Sequence, residues 1–135
     1  MNGSRERARK KYMLRGREIV ATDSLAVWAE WIEKADRHVA QTDIDGIWVS
    51  TVFMGLDHNW RGVGAPILFE TMVFDHSVND EDRWVEIEGY FARYSTFDEA
   101  ERGHQEIVAR VRAALDDGKI ELLRMLDVPS NRTTP

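Results

Sequence analysis

Two runs, Ile47-Trp48-Val49-Ser50-Thr51-Val52-Phe53-Met54-Gly55-Leu56 and Ile67-Leu68-Phe69-Glu70-Thr71-Met72-Val73-Phe74, are apolar, β-branched or aromatic at nearly every position. A strand with apolar side chains on both sides is covered on both faces or lies centrally in its sheet. The ten residues between the runs, Asp57 to Pro66, are too few to hold a crossover helix, so an antiparallel connection is expected. The chain is therefore predicted to be built around two neighbouring central strands.

The other elements arrange themselves around that pair. Tyr12-Met13-Leu14 and Glu18-Ile19-Val20-Ala21 read as a small hairpin turning at Gly16. Leu25, Trp28, Ile32, Ala35 and Val39 recur at helical spacing, widened by Trp31, and predict an amphipathic helix over 24–40 capped by Asp23 or Thr22. Asp43-Ile44-Asp45-Gly46 then reads as a turn, and Asn79-Asp80-Glu81-Asp82 as an acidic turn. Val85, Ile87, Gly89 and Phe91 alternate with Glu86, Glu88 and Tyr90, which suits a strand near an edge with one wet face. Thr96-Phe97-Asp98-Glu99 has the spacing of a reciprocal N-terminal cap. From there Phe97, Ala100, His104, Ile107, Val111, Ala114 and Leu115 line one helical face until Asp116-Asp117-Gly118 stops it. The order predicts an α+β fold, an antiparallel sheet of about four to five strands with two amphipathic helices packed on one side. Residues 1–10 are expected to be a mobile basic arm and 11–118 a single domain. Residues 119–135 are read as a tail, with a further turn or two of helix over Ile120 to Leu126 before Pro129 ends order.

Composition narrows the function classes. A length of 135 residues gives one domain, and 43% hydrophobic with 31% charged residues is the balance of a soluble globular protein. No window approaches eighteen uninterrupted apolar residues, and the N-terminus runs into charge, so neither a membrane span nor a secretory signal is expected and the cytoplasm suits the chain. The absence of cysteine excludes disulfides, thiolate metal sites and cysteine nucleophiles. Residues 1–19 carry seven basic side chains against Glu6 and Glu18, a net +5, which leaves −11 for the remainder of a chain whose total is −6. An acidic body repels phosphate backbones, so duplex DNA is disfavoured as a partner.

No phosphate loop GxxxxGK[ST], no GxSxG, no HExxH and no GxGxxG after a strand is present, so no cofactor is implied. Two Asp-His pairs, Asp57-His58 and Asp75-His76, suggest metal ligands, but hairpin geometry sets them about 26 Å apart and no metal site is expected from them. Glu70 stands in mid-strand, where a buried carboxylate without a partner costs several kcal/mol or is forced neutral. Pairing His58 with Ile67 would put Gly55 opposite Glu70, and Arg93 on the following strand is its candidate partner; the simpler reading is a structural clamp. His104 follows Gly103, whose missing side chain admits close approach, and is most simply a satisfied core histidine. A sharper expectation is that Glu70, Arg93, Tyr94 and His104 converge as the polar floor of one pocket. In the loop, Trp60 can stack on a base, Arg61 can pair a phosphate, and Asp57 and His58 flank them. Its simpler reading is an ordinary connection with Trp60 folded back on the sheet.

Val49-Ser50-Thr51-Val52-Phe53-Met54-Gly55-Leu56-Asp57-His58, Leu68-Phe69-Glu70-Thr71-Met72-Val73-Phe74 and Arg93-Tyr94-Ser95-Thr96-Phe97-Asp98-Glu99-Ala100-Glu101-Arg102-Gly103-His104 resemble a set of small accessory proteins of tailed phages and prophages. The resemblance covers roughly residues 11–115, with a bulkier acidic segment around Asn79 to Glu88. That family carries no established activity, so no residue role transfers. What the resemblance implies is a short list of tasks in a host cytoplasm: blocking a host enzyme, countering a defence system, or sequestering or degrading a nucleotide signal.

Three readings compete. The first is a binding protein without turnover that sequesters a small nucleotide-like ligand or caps a host defence protein. The second is a small phosphodiester hydrolase or nuclease using Glu70 or His104 as acid or base, with Arg93 holding a phosphate. The third is a structural phage component. Five tryptophans and an edge-containing sheet also make a homodimer plausible.

Overall fold

The computed structural model describes residues 10–76 and 84–120. The N-terminal arm before Lys10, the acidic turn at Asn79 to Asp82 and the tail beyond Ile120 lie outside the described residues. Lys11–Arg15 (β1) and Glu18–Thr22 (β2) form the expected hairpin through Gly16. Helix α1, Leu25–Lys34, is capped by Ser24, whose hydroxyl accepts from the Val27 N–H at 3.1 Å, and not by Asp23 or Thr22.

α1 ends well short of residue 40. Ala35 turns extended, the Asp36 carboxylate accepts from the His38 N–H, and His38–Ile44 becomes a strand, β3. The spacing of Ala35 and Val39 continues the helical stripe by coincidence; Val39 reaches the core from a strand. The need of the next strand for a ladder partner outweighs a weak local helical preference here.

Ile47–Phe53 (β4) and Phe69–Asp75 (β5) are the two central strands, antiparallel from Ile47 opposite Asp75 to Phe53 opposite Phe69. β3 pairs with β4 on one side. On the other side β5 holds two short strands in succession, Val85–Glu86 (β6) beside Phe74 and Asp75, and Ala92–Tyr94 (β7) beside Phe69 to Thr71. The strand expected over 85–91 thus ends at Glu86, a turn follows at Glu88 and Gly89, and the next strand begins only at Ala92. The result is an α+β fold with one two-stranded and one five-stranded antiparallel sheet.

β4 does not run straight into its loop. At Gly55 the backbone takes φ +81°, and a side chain there would come within 3.1 Å of Ile32 and 3.2 Å of Trp28. The detour lets the hairpin dock: the Tyr12 N–H donates to the Gly55 carbonyl at 2.9 Å, and the Trp28 indole donates to the carbonyls of Tyr12 and Gly55. His58 does bond Ile67, but Gly55, Leu56 and Asp57 leave the ladder between, so Val52 and not Gly55 stands opposite Glu70.

Helix α2, Phe97–Asp116, has the expected cap: the Glu99 N–H donates to the Thr96 hydroxyl and the Thr96 N–H to the Glu99 carboxylate. It buries Ala100, Gly103, His104, Ile107, Val108, Val111 and Ala114 against the sheet. Facing them are Ile47, Val49, Thr51 and Phe53 of β4 and Phe69, Thr71 and Val73 of β5. Each fully buried Val, Ile or Phe contributes about 1.5–3 kcal/mol. The hairpin and α1 sit over the same face, through Tyr12 beside Phe53 and through Trp31 edge-on to Phe53. Arg17 ties that layer to the start of α2 by pairing with Asp98 and Glu101 and lying over the Phe97 ring.

Candidate functional site

Period-two alternation sends Glu70 and Thr71 to opposite faces of β5, and Arg93 and Tyr94 to opposite faces of β7. The expected convergence of Glu70, Arg93, Tyr94 and His104 therefore does not occur. Tyr94 and His104 lie under α2; Glu70 and Arg93 lie on the far side of the sheet.

Under α2, five side chains from four strands and the helix form one hydrogen-bonded chain. The His104 ring meets the Thr42 hydroxyl through Nε2 at 2.8 Å and the Thr51 hydroxyl through Nδ1 at 2.8 Å. Thr51 continues to Thr71 at 2.5 Å, and Thr71 to the Tyr94 hydroxyl at 3.0 Å. His104, Thr51 and Thr71 are each 0% exposed. A neutral imidazole has one donor and one acceptor nitrogen, so every hydroxyl in this chain can be matched if all point the same way along it. Burial holds the His104 imidazole below its ordinary pKa and so neutral at pH 7. Burial likewise raises the Tyr94 phenol, against a smaller opposing effect of its bond to Thr71. Gly103 serves the same assembly: a side chain there would lie 2.1 Å from the Tyr94 ring. The expectation of a close approach at Gly103 holds, and the approaching group is the Tyr94 ring.

The three threonines are what the residue-by-residue reading of the sequence missed. Thr51 and Thr71 stand directly opposite one another in the β4–β5 register, each on the inner side of an otherwise apolar strand. A lone threonine in the middle of each apolar run was the available signal, since buried hydroxyls require partners.

On the far face, the Arg93 Nε donates to Glu70 at 3.1 Å, and the two residues are cross-strand neighbours. This is the clamp that the simpler reading expected. The Glu70 side chain is 16% exposed and that of Arg93 36%, and Arg93 also lies over the Phe91 ring. The same face carries an aromatic cluster absent from the sequence reading, with Trp48 against Phe74 and Trp84, and Trp84 stacked on His76.

The connection from Asp57 to Pro66 is ordered from within. Asp57 Oδ1 accepts from the Asn59 N–H at 2.7 Å and the Ile67 N–H at 2.9 Å, bracing both ends of the loop. The Asn59 side-chain amide donates to the carbonyls of Val63 and Ala65, and its oxygen accepts from the Arg61 N–H. The His58 Nδ1 donates to the Leu56 carbonyl. With its neighbours turned inward, Trp60 projects and is 81% exposed, its ring 5.7 Å from that of His58, and Arg61 is exposed beside it. Trp60 is not folded back on the sheet. Asp57 thus organises the loop, while Trp60 and Arg61 are its presented groups.

Asp57-His58 and Asp75-His76 fall at opposite ends of the β4–β5 hairpin. Among the described residues, no three His, Asp or Glu side chains gather as a metal cluster, and no helix is long and apolar enough to cross a membrane. No family model, no curated protein and no solved structure matches this chain.

Proposed function

We propose that this chain is a binding protein without turnover, of phage-accessory type, that sequesters a nucleotide-like ligand in a host cytoplasm through Trp60 and Arg61. The observation that carries this reading is a loop braced at its base by Asp57 and Asn59 while a tryptophan and an arginine stand exposed at its tip. An exposed indole is costly to leave in water and offers a face for a planar ring; a neighbouring guanidinium suits a phosphate. The pre-ordered loop lowers the entropy lost on binding. The hydrolase reading lacks support of this kind, because Glu70 and Arg93 engage each other and His104 is enclosed on the other side of the sheet.

A protein partner is a second reading, favoured by α1. Leu25 and Val27 are exposed there, and a groove of about 420 Å³ opens between the helix and β1, lined by Met13, Val27, Glu30, Trp31, Lys34 and Ala35.

The test is a thermal-shift panel of cyclic and ADP-ribose-type nucleotides, since a ligand that binds the folded state raises Tm. At least one is expected to raise it, and Trp60→Ala and Arg61→Ala are each expected to abolish the shift. A panel without any shift overturns the nucleotide reading and directs the search to a protein bound at α1.

A further inference from the structure

We infer that the outer face of the five-stranded sheet is the contact between two copies of this chain, related by a two-fold axis that lies in the interface and runs across the strands. Both helices and the hairpin lie on the inner face, and among the described residues no element packs over the outer one. Around Ser50 and Glu70 that face nonetheless carries apolar side chains through its middle: Val52, Met72, Trp48 and Phe74 are only half-buried, Trp84, which lies across one end against Trp48, is 44% exposed, and Phe91 at the margin is 46% exposed. Contiguous apolar surface of this kind marks an interaction site.

The register says which partner fits. On the outer side, Trp48 and Val52 flank Ser50 on β4, and Glu70 and Phe74 flank Met72 on β5. An axis passing over Ser50 and Met72 lays each strand antiparallel on its own copy. Arg93, beside Glu70, then falls over Glu86 of the second copy, because Glu86 stands beside Phe74. At the opposite margin His38, beside Val52, falls over Asp43 of the second copy, because Asp43 stands beside Trp48. One operation thus brings Arg93 to a carboxylate at one margin and the His38 ring to a carboxylate at the other, twice each by symmetry, while Trp48 meets Val52, Phe74 meets the Arg93-paired Glu70, and Ser50 and Met72 each meet their own copy. Such self-complementarity is what an isologous contact demands. Carboxylates on the face and a chain charge of −6 disfavour nucleic acid as the occupant.

The size is that of a modest, reversible dimer. Four ladder columns about 4.8 Å apart and seven residues at about 3.3 Å give roughly 440 Å² of flat face, or roughly 900 Å² for two copies before side-chain relief is counted. This is the low end of specific interfaces. Aligned sheet-on-sheet packing of two antiparallel sheets is a standard arrangement. The Asp57–Pro66 loop lies outside the face, so this inference stands or falls apart from the ligand reading.

Sedimentation velocity on the full chain tests it. The unaltered protein is expected to show a concentration-dependent dimer that weakens as salt rises. Glu86→Arg, an exposed charge reversal that would face Arg93 of the second copy, should weaken it at least tenfold. Met72→Glu, which sets two carboxylates together at the axis, should leave a monomer, with far-UV circular dichroism showing that both variants remain folded. A monomer at all concentrations up to about 200 µM overturns the inference. So does a dimer that Glu86→Arg and the folded Met72→Glu leave unchanged, which would place the contact elsewhere.

Discussion

The hydrogen-bonded chain beneath α2 and the loop between β4 and β5 spend the same kinds of polar group to opposite effect. In the core, Thr42, His104, Thr51, Thr71 and Tyr94 satisfy one another, and His104, the most chemically versatile side chain of the set, is enclosed by that satisfaction. In the loop, Asp57 and Asn59 are consumed in bracing the backbone, and the consequence is that Trp60 and Arg61 are left facing solvent. A titratable residue on an inner face is therefore a poor guide to chemistry until its partners are known. A short polar side chain that folds its own loop is the better pointer to a binding group, because it fixes what stands next to it.

Substitutions sharpen this contrast, since the core chain should answer in stability and the loop in binding. Gly103→Ala is expected to have the largest effect, a loss of about 3 kcal/mol in urea unfolding, because the new methyl would overlap the Tyr94 ring. His104→Leu comes next at about 2–3 kcal/mol, since the hydroxyls of Thr42 and Thr51 would lose their shared partner. A cost below about 0.5 kcal/mol for either would break the picture of a tightly matched core.

The pH dependence follows from the direction of the His104 shift. Folding lowers its pKa from the ordinary 6.5, so between the two values the unfolded chain binds more protons than the folded one. Its contribution to stability is fully present above pH 6.5 and is lost as pH falls below that value, with a slope of at most about 1.4 kcal/mol per pH unit. In His104→Leu that part of the profile should flatten; an unchanged profile would assign the slope to other groups. Glu70→Gln is expected to cost about 1 kcal/mol, in keeping with a partly exposed pair. Trp60→Ala should change stability by no more than about 0.5 kcal/mol while removing the nucleotide-induced rise in Tm.

Much of the fold was legible because local chemistry and global packing agreed. The Thr96/Glu99 cap, the stop at Gly118 and the hairpin at Gly16 are each decided within a few residues, and the two apolar runs could only be central strands. β3 was hidden because Val39 fits a helical stripe and a strand equally well, and only its pairing with β4 decides between them. The site was less legible for a related reason. Residues 70 and 71, like 93 and 94, are sequence neighbours that a strand sends to opposite faces, so proximity along the chain is not proximity in a pocket. The Glu70–Arg93 pair needed only adjacent strands; Tyr94 and His104 do share one side as expected, but their joining through two threonines, Thr51 and Thr71, is not marked in the sequence of one run alone.

The division between an enclosed histidine and an exposed loop tip is tested most directly by histidine-selective acylation with diethylpyrocarbonate, read by mass spectrometry of peptides from the native chain. The chain has four histidines. His38, His58 and His76 are expected to react under native conditions, while His104, fully buried with both ring nitrogens engaged, should react only after unfolding. Native labelling of His104 at a rate like that of His38 would contradict the account, by showing that the imidazole beneath α2 opens to solvent and to reagents.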